Sequence, residues 1–307
     1  MSNQTSTLNI DEQGIPILIP NWVRQTARKF AGEQPTEDKA NQIYRNTLAV
    51  CAVNNYLKIL GMSTDLTSSS CWNPVERFAA DVADLMIPDR GVLECRAITP
   101  GQTTCAVSLE AQVDRVGYVV VQIEPDEMEA TLVGFARTVQ DDVLQVSQLQ
   151  PLDDLPECLE SAPPLIYNLS QWFENVYEAG VQTVESLLGC ESAPAFALRA
   201  IDENTQQRCL LFQLGDAGPS VVLVIGIQET SSEARDILLE VCPPAGQTYL
   251  PEQLRFVLQN EADEPVMEVT SQLENRNLQF EFSGQVADRF TVELSLDDLS
   301  MSQEFLI

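Results

Sequence analysis

The sequence predicts an α+β fold, with N-terminal helices packed on an antiparallel sheet, then a helix leading into a C-terminal β-sandwich-like domain. Three observations carry this prediction. Up to about residue 90 the apolar residues recur at helical spacing, and beyond it they alternate, so helices come first and consecutive strands follow. Residues 150–164 hold four prolines and four acids, the composition of a linker, which divides the chain into domains 1–150 and 165–307 joined by 151–164. Apolar residues make up 44% of the 307, enough to build a buried core.

The elements follow in order. Ile15–Pro20 is a short apolar stretch bounded by prolines, which predicts an extended, docked segment. Asn21 caps a helix in which Trp22, Thr26 and Phe30 share one face, and Gly32 and Pro35 end it. Thr36 opens a second helix, with Glu37 and Asp38 complementing its positive end and Gly61 as its stop. Its middle is apolar over most of its circumference, so it belongs at the centre, and Asn54 and Asn55 then need partners. Asn73-Pro74 starts a third helix, Pro74 to Leu85.

Strands follow at 92–98, 105–109, 116–123 and 130–139. A helix from Tyr167 to Leu188 carries Trp172, Val176, Tyr177, Val181 and Val184 near a 3.6 period. The remainder reads as strands at 196–201, 207–214, 221–228, 237–242, 253–259, 265–271, 278–282 and 290–296, the spacing of a β-sandwich.

Charge and composition exclude more than they identify. Acids outnumber basic residues 46 to 17 for a net charge of −29, which opposes affinity for nucleic acid or an anionic membrane. Histidine is absent, which removes Ser-His-Asp and Cys-His sites and the commonest metal ligand. The charge is regional. Residues 1–60 hold every lysine and are near neutral, whereas 150–307 carry 27 acids against six arginines. No glycine-rich phosphate loop occurs. The N-terminus shows neither a basic n-region nor an apolar h-region, and the longest apolar runs, such as Val221–Ile227, are too short to span a bilayer. A cytoplasmic chain with reduced thiols is expected.

The eight cysteines lack CxxC spacing, so they read as small buried hydrophobes rather than as a zinc site. Cys95 and Cys105, on neighbouring strands, are the one pair that could face each other for redox chemistry. Acidic pairs at Asp141/Asp142, Asp153/Asp154, Asp202/Glu203 and Asp297/Asp298 read as solvated turns, with calcium binding or acid–base work as the functional alternatives. Trp72, just before the Asn73 cap, reads as a packing staple or as an exposed anchor for a partner. Arg24, Arg28 and Lys29 on the first helix are further candidate partner contacts.

The run Ala40–Leu57, followed by Gly61–Leu66 and Trp72-Asn-Pro74, resembles a cyanobacterial family known as domain of unknown function 1822. The likeness continues through Leu93–Arg96, Glu129–Phe135, Gly246–Pro251 and Phe280–Phe290, covering nearly the whole chain. It brings no catalytic residue or cofactor. It implies a cyanobacterial cytoplasm and, through the genes that accompany family members, a link to sigma-factor or stress signalling. The expected function is that of a non-enzymatic regulatory protein without cofactor, binding a protein partner of basic character. The alternatives are a small-ligand or Ca²⁺-binding protein using acidic sandwich loops, and an enzyme using carboxylates or a cysteine.

Overall fold

A computed structural model of the chain describes residues 14–88, 90–178, 180–189, 205–214 and 218–307. The chain divides into two compact units, Met1–Pro164 and Leu165–Ile307, and is mixed α+β.

The first unit runs β1 (Ile15–Leu18), α1 (Asn21–Gly32), α2 (Glu37–Ile59), α3 (Pro74–Ala79), β2 (Asp84–Ile87), β3 (Gly91–Ile98), β4 (Thr104–Ala106), β5 (Arg115–Ile123), β6 (Glu129–Ala136), β7 (Val143–Gln145) and α4 (Leu155–Glu160). Its five-stranded sheet has the order β1-β6-β5-β3-β2, and β4 pairs with β7 in a separate ribbon. Helix α2 starts at Thr36, whose hydroxyl accepts from Lys39 N–H, with Glu37 and Asp38 in the first turn. Its middle, from Asn46 to Asn54, is buried without a break. Asn46 donates to the carboxylate of Asp81 and the carbonyl of Val82, and Asn54 accepts from Thr64 Oγ1 at 2.6 Å, so both buried amides have partners.

Alternation along the strands divides the core. Leu93, Cys95, Val119, Val121 and Leu132 pack with Leu48, Cys51 and Tyr56 of α2 on one face. Ile98, Tyr118, Val120 and Val133 pack with Cys105, Leu144 and Val146 on the other.

Four expectations need correction here. The sheet is not purely antiparallel, since β3 and β5 run parallel, joined by a crossover through 99–114; alternation reveals the strands but not their direction. Of the expected stripe on α1 only Phe30 is buried, and it is joined by Val23 and Ala27 rather than by Trp22, which is 50% exposed, and Thr26. The third helix stops at Ala79, and 84–87 is strand β2, buried throughout. The expected boundary at 165 coincides with the start of the second unit, but the segment before it is not a free linker, because its apolar residues dock on the first unit. Leu152, Leu155, Cys158 and Leu159 are buried in the first unit's cluster, because the apolar residues between its prolines and acids fall on one side of a 3₁₀ turn and α4.

The second unit runs β8 (Ile166–Asn168), α5 (Val184–Leu188), β9 (Thr205–Gln213), β10 (Ser220–Glu229), β11 (Ala234–Cys242), β12 (Arg255–Asn260), β13 (Pro265–Thr270), β14 (Leu278–Gln285), β15 (Arg289–Leu296) and β16 (Leu299–Leu306). Two sheets form, β14-β11-β10-β9 and β13-β12-β15-β16-β8. Their inward residues make one core. Leu223, Ile225, Leu239 and Phe280 come from the first sheet, and Phe256, Leu258, Val292 and Phe305 from the second. Phe256 stacks on Phe280 at 4.2 Å between centroids.

The single helix expected from Tyr167 to Leu188 is absent. In its place β8 pairs parallel with β16, a 3₁₀ turn covers Leu169–Glu174, and Asn175 takes a left-handed conformation at φ 60°. Tertiary contacts override the helical spacing. Trp172 is fully buried, and Glu178 accepts from the Asn168 N–H (2.6 Å) and Trp172 Nε1 (3.3 Å). The strand expected at 196–201 lies outside the described residues, as does Asp202/Glu203.

Candidate functional site

Two of the three basic residues singled out on α1, Arg24 and Arg28, reach the turn that joins β5 to β6. Arg24 Nη1 donates to Met128 Sδ (2.7 Å), and Arg28 lies 3.8 Å from Glu127, which also accepts from Tyr44 Oη at 2.6 Å. Burial and the hydrogen bond to Glu127 push the Tyr44 hydroxyl up to about 12. Lys29 is exposed. Trp72 is partly buried and meets Phe30 of α1 edge-on at 5.5 Å, while the Arg77 guanidinium covers that same ring at 3.8 Å and pairs with Glu33 at 2.6 Å. Trp72 therefore contributes packing between α1 and the cap of α3.

Cys95 and Cys105 do not face each other. Side chains alternate across the sheet, and Cys95 points into the helix-covered face while Cys105 sits in the cluster on the opposite one. The seven described cysteines are free and buried, and burial pushes their thiols up, Cys51 and Cys209 to about 12. Asp141 and Asp142 are consecutive left-handed residues of an exposed turn, and Asp297 likewise. Among the described residues, no group of three or more His, Cys, Asp or Glu side chains is placed to hold a metal ion.

Two constellations escaped the sequence reading. The first is a buried ionic network on β3. Glu94, fully inaccessible, accepts from Ala83 N–H (2.8 Å), Arg96 Nη1 (3.2 Å) and Arg115 Nε (3.1 Å). Arg96 continues to Asp81 at 2.9 Å. Burial raises the Glu94 carboxyl against the opposing pull of both arginines. At Asp81 the bonds and charge of Arg96 outweigh burial and lower it. Glu94 and Arg96 share a strand face because they are two residues apart, and opposite charges at that spacing inside an apolar run were the available signal. Every group in this network points at another protein group, so it reads as a device that fixes the sheet.

The second is a cleft of about 350 Å³ in the second unit, lined where β12 ends, β13 begins, β14 ends and β15 begins. Its apolar lining comes from Leu258, Val266, Met267, Phe282, Phe290 and Ile307, and its polar lining includes Gln259, Glu261, Ser283, Asp288 and Arg289. The volume falls at the lower end of the range for ligand sites. Val266 is 58% exposed, an apolar residue standing at the mouth. Arg289 is paired with Glu304 (2.8 Å), while the exposed carboxylate of Asp288, which accepts from Gln285 N–H (2.7 Å), and Glu261, at the exposed tip of the β12–β13 turn, both face solvent, so the lining carries a net negative charge. The lining is scattered over five segments, so no local sequence motif announces it.

Fold and surface together define a two-unit α+β protein with a cleft at the edge of facing β-sheets. The chain belongs to the family described as "Protein of unknown function (DUF1822)", whose model matches residues 17–193 and 166–306. No curated protein matches the chain. Among solved structures, an endonuclease/exonuclease/phosphatase from Beutenbergia cavernae DSM 12333 is similar at 18% identity and a TM-score of 0.23, over 32% of this chain and 26% of that one. No helix among the described residues is long and apolar enough to cross a membrane.

Proposed function

We propose that this protein is a non-enzymatic regulatory protein of the cytoplasm that acts by binding a basic protein partner, and that its second unit carries the binding surface. The observation behind this reading is the cleft, with an apolar floor and an acidic turn at its mouth, in the part of the chain where acids most outnumber arginines. The arginines of this unit are largely engaged internally. Arg235 pairs with Glu229, Arg255 with Glu268 and Glu293, and Arg289 with Glu304, while Arg208 lies over Tyr177. The remaining carboxylates set up a field that draws cationic partners and repels anionic ones. A sigma factor is the kind of partner the family resemblance points to in a cyanobacterium, and the capture shows whether the partner is basic.

The test is affinity capture with the full chain from a cyanobacterial lysate at low and at high salt. A stoichiometric basic protein, retained at low salt and released at high salt, is the expected result. Failure to recover any stoichiometric partner, or recovery of an acidic one indifferent to salt, would falsify the reading.

A further inference from the structure

We propose that the cleft docks an extended segment of the partner, laid as an added strand along the free edge of β14. A large apolar side chain of that segment sits among Val266, Met267, Phe282 and Phe290, with Lys or Arg beside Glu261. This rests on the basic-partner reading and specifies the site and form of the contact.

Strand β14 pairs with β11 on one side, and among the described residues no strand pairs with its other side. An edge strand presents unpaired N–H and C=O groups, which is the template used in strand addition. Strand β13, the edge of the facing sheet, is a poorer template because it is shorter and begins at Pro265, which has no N–H. Along β14 the inward side chains are Leu278, Phe280 and Phe282, and the next inward position is Gly284, where an added Cβ would lie 2.4 Å from the Ile307 side chain. The core therefore closes over Ile307 at this end, and the space between Phe282 and Val266 is left to the cleft. An added strand directs alternate side chains inward, so its first inward residue falls over Phe282 and Phe290.

Charge selects the occupant. The β12–β13 turn is folded on Asn260, whose Oδ1 accepts from the N–H groups of Ala262 and Glu264, and it holds Glu261, Asp263 and Glu264 exposed beside the mouth. An anionic occupant meets like charge there, and a cationic one is attracted.

The experiment uses the full chain and fluorescent synthetic peptides in which lysine alternates with leucine and phenylalanine, or with serine. The lysine–apolar peptide is expected to bind at least about tenfold tighter than the lysine–serine peptide, the effect of an interface anchor. Val266→Glu, at an exposed position that leaves folding intact by thermal melting, is expected to abolish that difference. Glu261→Lys is expected to weaken binding and flatten its salt dependence. N-methylation of alternate peptide amides, tried in both registers, is expected to lose binding in one register by about tenfold, because one set of N–H groups faces β14.

Equal binding of both peptides, or full binding by both N-methylated registers, overturns the docking site. Captured partner held equally by wild type and Val266→Glu overturns it while leaving the basic-partner reading in place. No binding of any lysine peptide together with no captured partner overturns both.

Discussion

Glu94 is the buried centre of the first unit's ionic network. Its carboxylate is fully buried between Arg96 and Arg115, with Asp84 and Asp81 nearby. A buried ion pair contributes little net stability over an apolar substitute, yet removing one partner leaves the other charge stranded. Arg96→Ala is therefore expected to cost about 3–5 kcal/mol in chemical denaturation. The double replacement Glu94→Leu with Arg115→Met should cost much less than the sum of its single changes.

The pH dependence has a definite sign. Glu94 in the fold holds its proton above the ordinary value of 4.5, so its contribution to stability falls as pH rises from 4.5 through that raised value. Arg96→Ala removes a cation that opposes the shift, so the fall should extend to higher pH. A wild-type curve and a variant curve that superimpose in shape would refute this. The thiols give a second check at this scale. All seven described cysteines are buried with raised pKa, so a thiol reagent near neutral pH should modify no more than one of the chain's eight until it is denatured.

At the scale of elements, periodicity located most strands because their burial alternates, as in Leu278–Gln285 and Arg289–Leu296. It failed where burial and period part company. Residues 167–188 carry helical spacing but are pinned by Glu178 and turned by Asn175. Strand β16 went unread because its inward series contains Gln303, buried and donating to the Leu165 carbonyl. The composition of 151–164 marks the boundary at 165 but not the docking of 152–159 on the first unit, because proline and acid counts ignore the side on which the leucines fall. Gln150 pairs with Phe135, and at Gly134 an added Cβ would approach Gln150 O to 2.8 Å and Leu149 Cβ to 2.9 Å. Gly134→Ala should accordingly destabilise by about 1–3 kcal/mol, measured by thermal or urea unfolding. A neutral result would mean that 149–150 does not pack on β6. The ionic network and the cleft were not legible, because both assemble from residues far apart in the chain.

For the molecule as a whole, each unit owns its core and no more than a few residues before Leu165 are left to join them. Fragments 1–164 and 165–307 are each expected to unfold cooperatively when expressed alone, by calorimetry or circular dichroism. A fragment without a cooperative transition would show that its core is incomplete. The charge division read from the sequence acquires a location at this scale, since the acidic half is also the half with the cleft.

The free edge of β14 has one more consequence, for the behaviour of many copies. An edge that can accept a foreign strand can also accept the edge of an identical neighbour, the route to open-ended fibres. Like charge on every copy is what keeps neighbours apart, so colloidal solubility and partner choice draw on the same carboxylates. Acid or molar salt should then turn a clear concentrated solution turbid, and Val266→Glu, with one more charge at the mouth, should delay it.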